Sequence, residues 1–278
     1  MFRRISQLAM GAALVGATVV VPLATSQAAG TSKVNVVHGV KPISGDAPVD
    51  VYAGPANATS WNLAKANLLY GQTADLGDLA AGDINVLICS HSAANPAATI
   101  TACSDNGGSA VNGNSGTNVT IPDGKNVTLV AAYSATPAQG RPSVLVFEND
   151  VSCVPDAATG RLGAAHAAYA PAVDVLVNGS VAFANVSEGG EGHKNVAAGS
   201  YNVAVNLTGT NTEVVAANGV AVAGSQLTKA FVVGSQSLDA NVQFDILTYT
   251  FPLSVCSVPT TATTTTTAPP AVTPAFTG

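Results

Sequence analysis

The stretch Gly163-Ala-Ala-His166-Ala-Ala-Tyr-Ala-Pro171-Ala-Val-Asp174-Val-Leu-Val177 decides the fold, because an earlier version of it occurs in the same chain. The earlier version is Asn35-Val-Val-His38, a longer connection, and Ala47-Pro48-Val-Asp50-Val-Tyr52. Each version predicts an apolar strand that ends at a histidine, a turn that contains proline, and a second strand that opens on an aspartate. Such self-similarity indicates an internal duplication.

Further matching segments follow in the same order in both halves, and each half closes with a cysteine. The pairs are Ala66-Asn-Leu-Leu-Tyr-Gly71 with Ala184-Asn-Val-Ser-Glu-Gly189, Ala80-Ala-Gly-Asp-Ile-Asn-Val86 with Ala197-Ala-Gly-Ser-Tyr-Asn-Val203, and Cys153 with Cys256. We therefore predict two domains, residues 29–155 and 156–256.

Strand patterns dominate both halves, because short runs of Val, Ile, Leu, Phe and Tyr alternate with Gly, Asn, Asp and Pro. The fold class predicted is all-β, with two tandem antiparallel β-sandwiches of Ig-like or transthyretin-like type. The predicted strands are 33–38, 49–53, 85–90, 98–102, 126–134 and 143–148 in the first copy, and 161–167, 173–177, 180–184, 201–207, 212–216, 228–234 and 242–250 in the second.

The segment that contains the single tryptophan, Trp61, has two interpretations. Residues 60–69 fit a short helix capped by Ser60. The matching segment 180–186 follows Asn178-Gly179, a strong signal for a tight hairpin turn, so we favour a strand. Trp61 is then a packing residue in the core or between the domains; the alternative is an exposed aromatic side chain that stacks on a ligand.

The whole pattern resembles the bacterial family DUF4397, a domain of unknown function found in exported and surface proteins. The resemblance rests on Val-Val-His, the proline turn, Val-Asp-Val and the later segment of type A-x-G-x-Y-x-V, and it covers two copies over about residues 33–256. It implies location and fold more than activity. The first copy departs from the pattern, with four extra residues between His38 and Asp50 and with Asp83-Ile84 where the second has Ser200-Tyr201.

Residues 1–28 have the three parts of an export signal. Arg3 and Arg4 supply the positive start, residues 8–23 the apolar segment, and Ser26-Gln-Ala28 a cleavage site of small residues. No later segment approaches the roughly 20 apolar residues of a membrane span. We expect a secreted, extracellular protein without a transmembrane segment once the signal is removed.

Residues 257–278 form a tail of Thr, Pro and Ala without charge. Such a composition cannot bury a core, so we expect the tail to be disordered and extended. Tails of this kind act as wall-spanning stalks, which is compatible with association with the cell wall.

Charge excludes one class of partner. Of ten basic residues, the mature chain loses Arg3 and Arg4, which leaves eight against sixteen acidic residues and a formal net charge of −8. The remaining Lys and Arg residues are isolated, whereas nucleic-acid binding needs them clustered. We predict no nucleic-acid partner.

Four cysteines in an exported chain indicate two disulfides. Three pairings are formally open. Cys89 and Cys103 flank an excursion that the second copy lacks, so we pair them as the staple of an inserted hairpin. Cys153 and Cys256 hold equivalent positions, and their bond would tie the domains together at their exits. Free or transient thiols are the alternative. No Cys and His spacing suggests zinc, and we predict no metal and no cofactor.

His38 with Asp50, and His166 with Asp174, are the only histidine and aspartate pairs present in both copies. A carboxylate beside an imidazole is the orienting half of a hydrolytic triad. The simpler interpretation is structural, with the ring bonded to the turn backbone or to the aspartate. We favour it, since no nucleophile motif accompanies the pairs.

These observations favour a non-enzymatic surface or secreted module, structural or adhesive, that contacts a protein or the cell wall. A module that binds glycan or a wall polymer is the alternative, and its candidate stacking residues are Trp61, Tyr52, Tyr70, Tyr169 and Tyr201. A secreted hydrolase that uses a His/Asp pair is a weaker third hypothesis.

Overall fold

The computed structural model describes residues 30–41, 47–92, 96–135, 141–236 and 243–257. The predicted signal, residues 1–28, and residues 258–278 of the predicted tail lie outside this part. The first half contains β1 (Thr31–His38), β2 (Val49–Pro55), β3 (Trp61–Leu68), β4 (Thr73–Ala80), β5 (Gly82–Ser90), β6 (Thr99–Ile100), a 3-10 helix (Cys103–Asn106), β7 (Thr117–Ile121), β8 (Asn126–Ser134) and β9 (Arg141–Glu148). The second half contains β10 (Thr159–Tyr169), β11 (Val173–Val177), β12 (Ser180–Val186), β13 (Glu191–Ala197), β14 (Gly199–Leu207), β15 (Glu213–Val222), β16 (Gln226–Ser235) and β17 (Asp245–Pro252).

The strands form four sheets, two in each half. The first outer sheet has the order β6-β3-β2-β5-β7 and the first inner sheet β4-β1-β8-β9. The second inner sheet has the order β13-β10-β16-β17 and the second outer sheet β12-β11-β14-β15. The two inner sheets share one strand order, and so do the outer sheets apart from β6. The prediction of an all-β chain with two sandwiches is confirmed.

The pairing differs from a purely antiparallel arrangement at one place in each inner sheet. β1 pairs with β8 in parallel, and β10 pairs with β16 in parallel. Each of these central strands lies in the middle of its sheet. The histidine at the end of β1 or inside β10 therefore sits at the centre of an inner sheet, not at an edge.

The inner sheets pack against each other as well as against their outer sheets, which gives four layers. In β8, Val127 and Leu129 belong to the core between the first two sheets, while Val130 faces the second sandwich. In β16, Val232 belongs to the core of the second sandwich, while Phe231 faces the first. Successive side chains of a strand point to opposite faces, so both faces of these strands are covered.

Burial on both faces explains why the inner strands are nearly continuous apolar runs instead of alternating ones. β8, β10 and β16 are buried over almost their whole lengths. By contrast, β4 and β13 are edge strands with many exposed polar side chains. The sequence pattern did not reveal these two strands.

Two local predictions are confirmed. β3 is a strand and not a helix. Asn178 and Gly179 both have positive φ, 49° and 79°, in the turn between β11 and β12, as a tight hairpin turn with two left-handed residues requires.

The two disulfides pair as predicted, Cys89 with Cys103 and Cys153 with Cys256. The first joins β5 to the 3-10 helix. The second was expected to tie the two domains together. It joins the connection between β9 and β10 to the segment that follows β17, where Val154 and Val255 also form a parallel bridge. Within the described residues no helix has the length and apolarity to cross a membrane.

We expect the two disulfides to stabilise the chain unequally. Their sequence separations are 103 and 14 residues, and chain-entropy estimates give about 4.7 kcal/mol for a loop of about 100 residues and about 3 kcal/mol for one of about 15. The double variant Cys153→Ala/Cys256→Ala should therefore lose more unfolding free energy in urea than Cys89→Ala/Cys103→Ala. An equal or smaller loss would contradict this order.

Candidate functional site

The recurring histidines hold the turn that follows each central strand. His38 Nε2 lies 3.1 Å from the carbonyl oxygen of Ala47, and His166 Nε2 lies 3.0 Å from that of Pro171. The side chains are only 2% and 1% exposed. Each ring therefore donates a hydrogen bond to a backbone carbonyl just before β2 or β11. The bond is the same in both copies, although the connection between histidine and acceptor is longer in the first.

The recurring aspartates hold a different element. Asp50 Oδ1 accepts the N–H of Asn67 at 2.9 Å, and Asp174 Oδ1 accepts that of Asn185 at 2.7 Å. Both asparagines have positive φ, 51° and 53°. They lie where the register shifts between β2 and β3 and between β11 and β12, so each carboxylate secures a β-bulge in the neighbouring strand.

In both copies the histidine and the aspartate thus bond separate backbone groups. Each aspartate has further contacts of its own. His91 Nδ1 lies 2.7 Å from Asp50 Oδ1, and Asp174 accepts hydrogen bonds from Thr208 Oγ1 at 3.3 Å and from the N–H of Gly209 at 3.0 Å. Burial lowers the pKa of the His38 and His166 imidazoles below their ordinary value, against the opposing effect of their backbone hydrogen bonds. Neutral, enclosed rings of this kind fit the structural interpretation.

Trp61 is not the exposed stacking residue that the alternative interpretation requires. It is 3% exposed and packs with Tyr52, Leu87 and Ile100 on the first outer sheet. Its indole N–H donates to Asn85 Oδ1 at 2.7 Å. An excursion that the second copy lacks covers the ring, since the segment from β6 to the Cys89–Cys103 disulfide lies over it.

Polar contacts join the two sandwiches at the rim of their interface. Tyr70 donates its hydroxyl to Asp245 at 3.0 Å, and Tyr249 donates to the carbonyl of Gly71 at 2.8 Å. Glu188 accepts hydrogen bonds from Ser134 Oγ and from the N–H of Ala135. A surface cavity of about 340 Å³, lined by Tyr169, Pro171 and Glu188 among others, opens beside this contact.

A buried lysine lies in the same interface. Lys229, in β16, is 0% exposed. Its Nζ donates to the carbonyl of Glu148 at 2.8 Å and to Glu191 Oε2, and it lies 3.4 Å from Asn149 Oδ1. The rings of Phe147 and Phe231 flank it, with centroids 5.6 and 5.3 Å from Nζ.

Side chains of both sandwiches complete this interface cluster, which we define as Asn126, Thr128, Asn149, Lys229 and Glu191. Asn149 Nδ2 donates to Asn126 Oδ1 and to Thr128 Oγ1, each at 2.8 Å. Glu191 Oε1 accepts the N–H of Glu148 at 2.8 Å. Burial lowers the pKa of the Lys229 amine, and the Glu191 carboxylate opposes that shift.

Neighbours of the cluster fix its geometry. A Cβ on Gly163 would lie 2.8 Å from His193 Cδ2 and 3.2 Å from Lys229 Cγ, so the glycine makes room for both side chains. Arg161 donates through Nη1 to the carbonyls of Asp150 and Ser152, at 2.7 and 3.0 Å. It thereby holds the connection that follows Asn149.

Sequence reasoning did not find this cluster. One signal was present, since Lys229 is the only charged residue in the otherwise apolar or neutral strand Gln226–Ser235. A lone charge there indicates an enclosed partner. Glu191 and Asn149 carry no comparable signal, because they lie at strand ends where polar residues are ordinary. Among the described residues, no group of three or more His, Cys, Asp or Glu side chains is arranged to hold a metal ion.

Comparison with known protein families identifies one that matches this chain. The family described as "Domain of unknown function (DUF4397)" matches residues 32–176, more than half of the chain. The chain belongs to the DUF4397 family. The match covers the first sandwich and continues into β11 of the second, so it includes both histidine and aspartate motifs. No curated protein matches this DUF4397 chain.

Several solved structures show a loose likeness to the DUF4397 chain. A protein from Bacteroides uniformis and one from Parabacteroides distasonis, each described as a "putative cell adhesion protein", are 9% and 8% identical, with TM-scores of 0.24 and 0.23. Both alignments cover 81% of this chain and 100% of the other. The Bacillus anthracis TIE protein is 12% identical, with a TM-score of 0.21, over 82% of this chain and 44% of the other. No inference about function follows from scores this low.

The buried histidines predict how the stability of this DUF4397 protein depends on pH. Their pKa is lowered in the folded state, so their contribution is complete above the unfolded value of about 6.5 and is lost as the pH falls below it. Each such histidine adds a slope of up to about 1.4 kcal/mol per pH unit. His166→Gln should reduce the slope of unfolding free energy between about pH 5.5 and 6.5 by that amount. Urea titrations measure it, and an unchanged slope would contradict the assignment.

Proposed function

We propose that the chain is an exported, non-enzymatic module that works at or near the bacterial surface by contact with a protein or with the cell wall. Residues 1–28 act as the export signal in this proposal. Residues 29–155 and 156–256 are the two domains, and residues 257–278 carry them as a stalk. The protein needs no cofactor for this role.

One observation carries the non-enzymatic part. The side chains His38, Asp50, His166 and Asp174, which first suggested chemistry, are bonded to backbone groups that fix a turn and a bulge. A general base must reach the proton that it removes. Rings that are 2% and 1% exposed have no such access, which supports a scaffold role for the two recurring histidines.

Four of the five candidate stacking residues of the glycan-binding alternative are buried or use their hydroxyl groups within the protein. Trp61 and Tyr52 are 3% and 0% exposed, and stacking on a sugar needs an open ring face. Tyr70 and Tyr201 use their hydroxyl groups within the protein, on Asp245 and on the carbonyl of Ala197. Contact through a broader protein or wall surface is therefore the better proposal.

Co-sedimentation with purified cell walls of the source organism tests the contact. Residues 29–278 are compared with a matched chain that ends at Ser257. We expect both to bind, which would place recognition in the sandwiches. Binding that is lost with the tail would assign wall contact to the tail, and binding by neither chain would contradict wall contact.

The variant His166→Ala tests the non-enzymatic part separately. We expect a lower unfolding free energy, because the Pro171 carbonyl loses its partner and a buried ring is removed, costs of about 1–3 kcal/mol or more. Wall binding at a temperature where the variant stays folded should be unchanged. A variant with intact stability that loses turnover of an ester or glycoside substrate would restore the hydrolase hypothesis.

A further inference from the structure

The buried amine of Lys229 is placed against a group that it can attack. Its strand, β16, belongs to the second sandwich, whereas Asn149 directly follows β9 of the first. The amine nitrogen lies 3.4 Å from Asn149 Oδ1. Both side chains are enclosed, at 0% and 2% exposed, so water does not compete for the carboxamide.

The orientation of the Asn149 carboxamide follows from its partners. Nδ2 donates to Asn126 Oδ1 and to Thr128 Oγ1, which turns Oδ1 toward Lys229. A lysine ammonium only donates, so it must face the oxygen and not the nitrogen of the amide.

We propose that Lys229 and Asn149 join in a covalent isopeptide bond that links the two sandwiches, with Glu191 as the proton acceptor. The bond forms within the folded chain and needs no metal, cofactor or oxidant. It goes beyond the proposed function, since it does not depend on any partner.

The reaction is an exchange of one amine for another. The Glu191 carboxylate takes a proton from the Lys229 ammonium, and the freed lone pair attacks Cγ of Asn149, so that the C–Nζ bond forms and the carbonyl electron pair moves to Oδ1. Glu191 returns the proton to Nδ2, and takes one from Nζ. The carbonyl re-forms, the Cγ–Nδ2 bond breaks, and ammonia leaves and binds the remaining proton. One lysine ammonium is consumed and one ammonium ion is released, with no change in oxidation state.

Several features of the cluster favour this step. Burial lowers the pKa of the amine, which makes the nucleophilic neutral form more accessible. Glu191 Oε2 already accepts a hydrogen bond from Nζ. Thr128 Oγ1 lies 3.2 Å from Asn149 Oδ1 and can donate to the oxygen as negative charge develops there. Fixing both reactants in one enclosed site replaces a bimolecular encounter.

The product also relieves an energetic cost. A buried ammonium is expensive even when it is paired. The amide product is neutral and keeps one N–H donor beside Glu191. The bond would join residues 80 apart in sequence, one in each sandwich.

Intact-mass spectrometry of purified residues 29–278 tests the proposal. We expect a mass one ammonia below that calculated for the chain with two disulfides. After reduction and digestion, tandem spectra should contain a branched peptide pair joined through Lys229 and Asn149. A folded protein with the full calculated mass, or digests in which both residues are unmodified, would overturn the proposal.

Matched variants separate this bond from succinimide formation at asparagine, which also releases ammonia. Lys229→Met should restore the full mass, while Lys194→Met, which changes an exposed lysine, should keep the deficit. Glu191→Gln should slow ammonia loss by about 10²–10⁴-fold, so that freshly purified protein has the full mass. A deficit that persists in Lys229→Met would overturn the assignment. The peptide map of the unaltered protein decides the case if a variant does not fold.

Discussion

The rest of the structure depends on the burial of both inner sheets between other sheets. Each inner sheet must be apolar on the face toward its own sandwich and close to apolar on the face toward the other. The strand Gly163-Ala-Ala-His166 meets both demands with small side chains, and a single extra carbon at Gly163 would collide with His193. A costly exception in this interface is the buried charge of Lys229, and Asn149, Glu191 and two aromatic rings are arranged around it.

The role of the histidine and aspartate motifs follows from the same arrangement of inner and outer sheets. Each histidine sits in the central strand of an inner sheet and bonds the chain where it crosses to the outer sheet. Each aspartate lies at the start of β2 or β11, the first strand of its outer sheet in chain order, and its carboxylate holds the bulge of the neighbouring strand. The pair therefore specifies how one sheet is connected to the next. This explains why both side chains recur together although they make separate contacts.

The sequence predicted the buried part of this fold well and the exposed part poorly, for a physical reason. Runs such as β8 and β11 are marked by apolar residues, and their predicted bounds are confirmed. The edge strands β4 and β13 were missed because polar, half-exposed strands lack that signal. Face-to-face packing of the inner sheets was also missed. An apolar sequence pattern predicts that a sheet face is buried, but it does not predict which other sheet packs against that face. The Lys229 cluster depends on that packing, so its members come together only in the structure.

We expect the two sandwiches to form a single cooperative body through this interface. Equilibrium unfolding in denaturant, followed by two signals at once, tests it most directly. Trp61 is the only tryptophan and reports on the first sandwich, whereas far-ultraviolet circular dichroism reports on the strands of both. We predict coincident transitions with one midpoint. A two-step dichroism curve, in which Trp61 fluorescence follows only one step, would show instead that the sandwiches unfold independently.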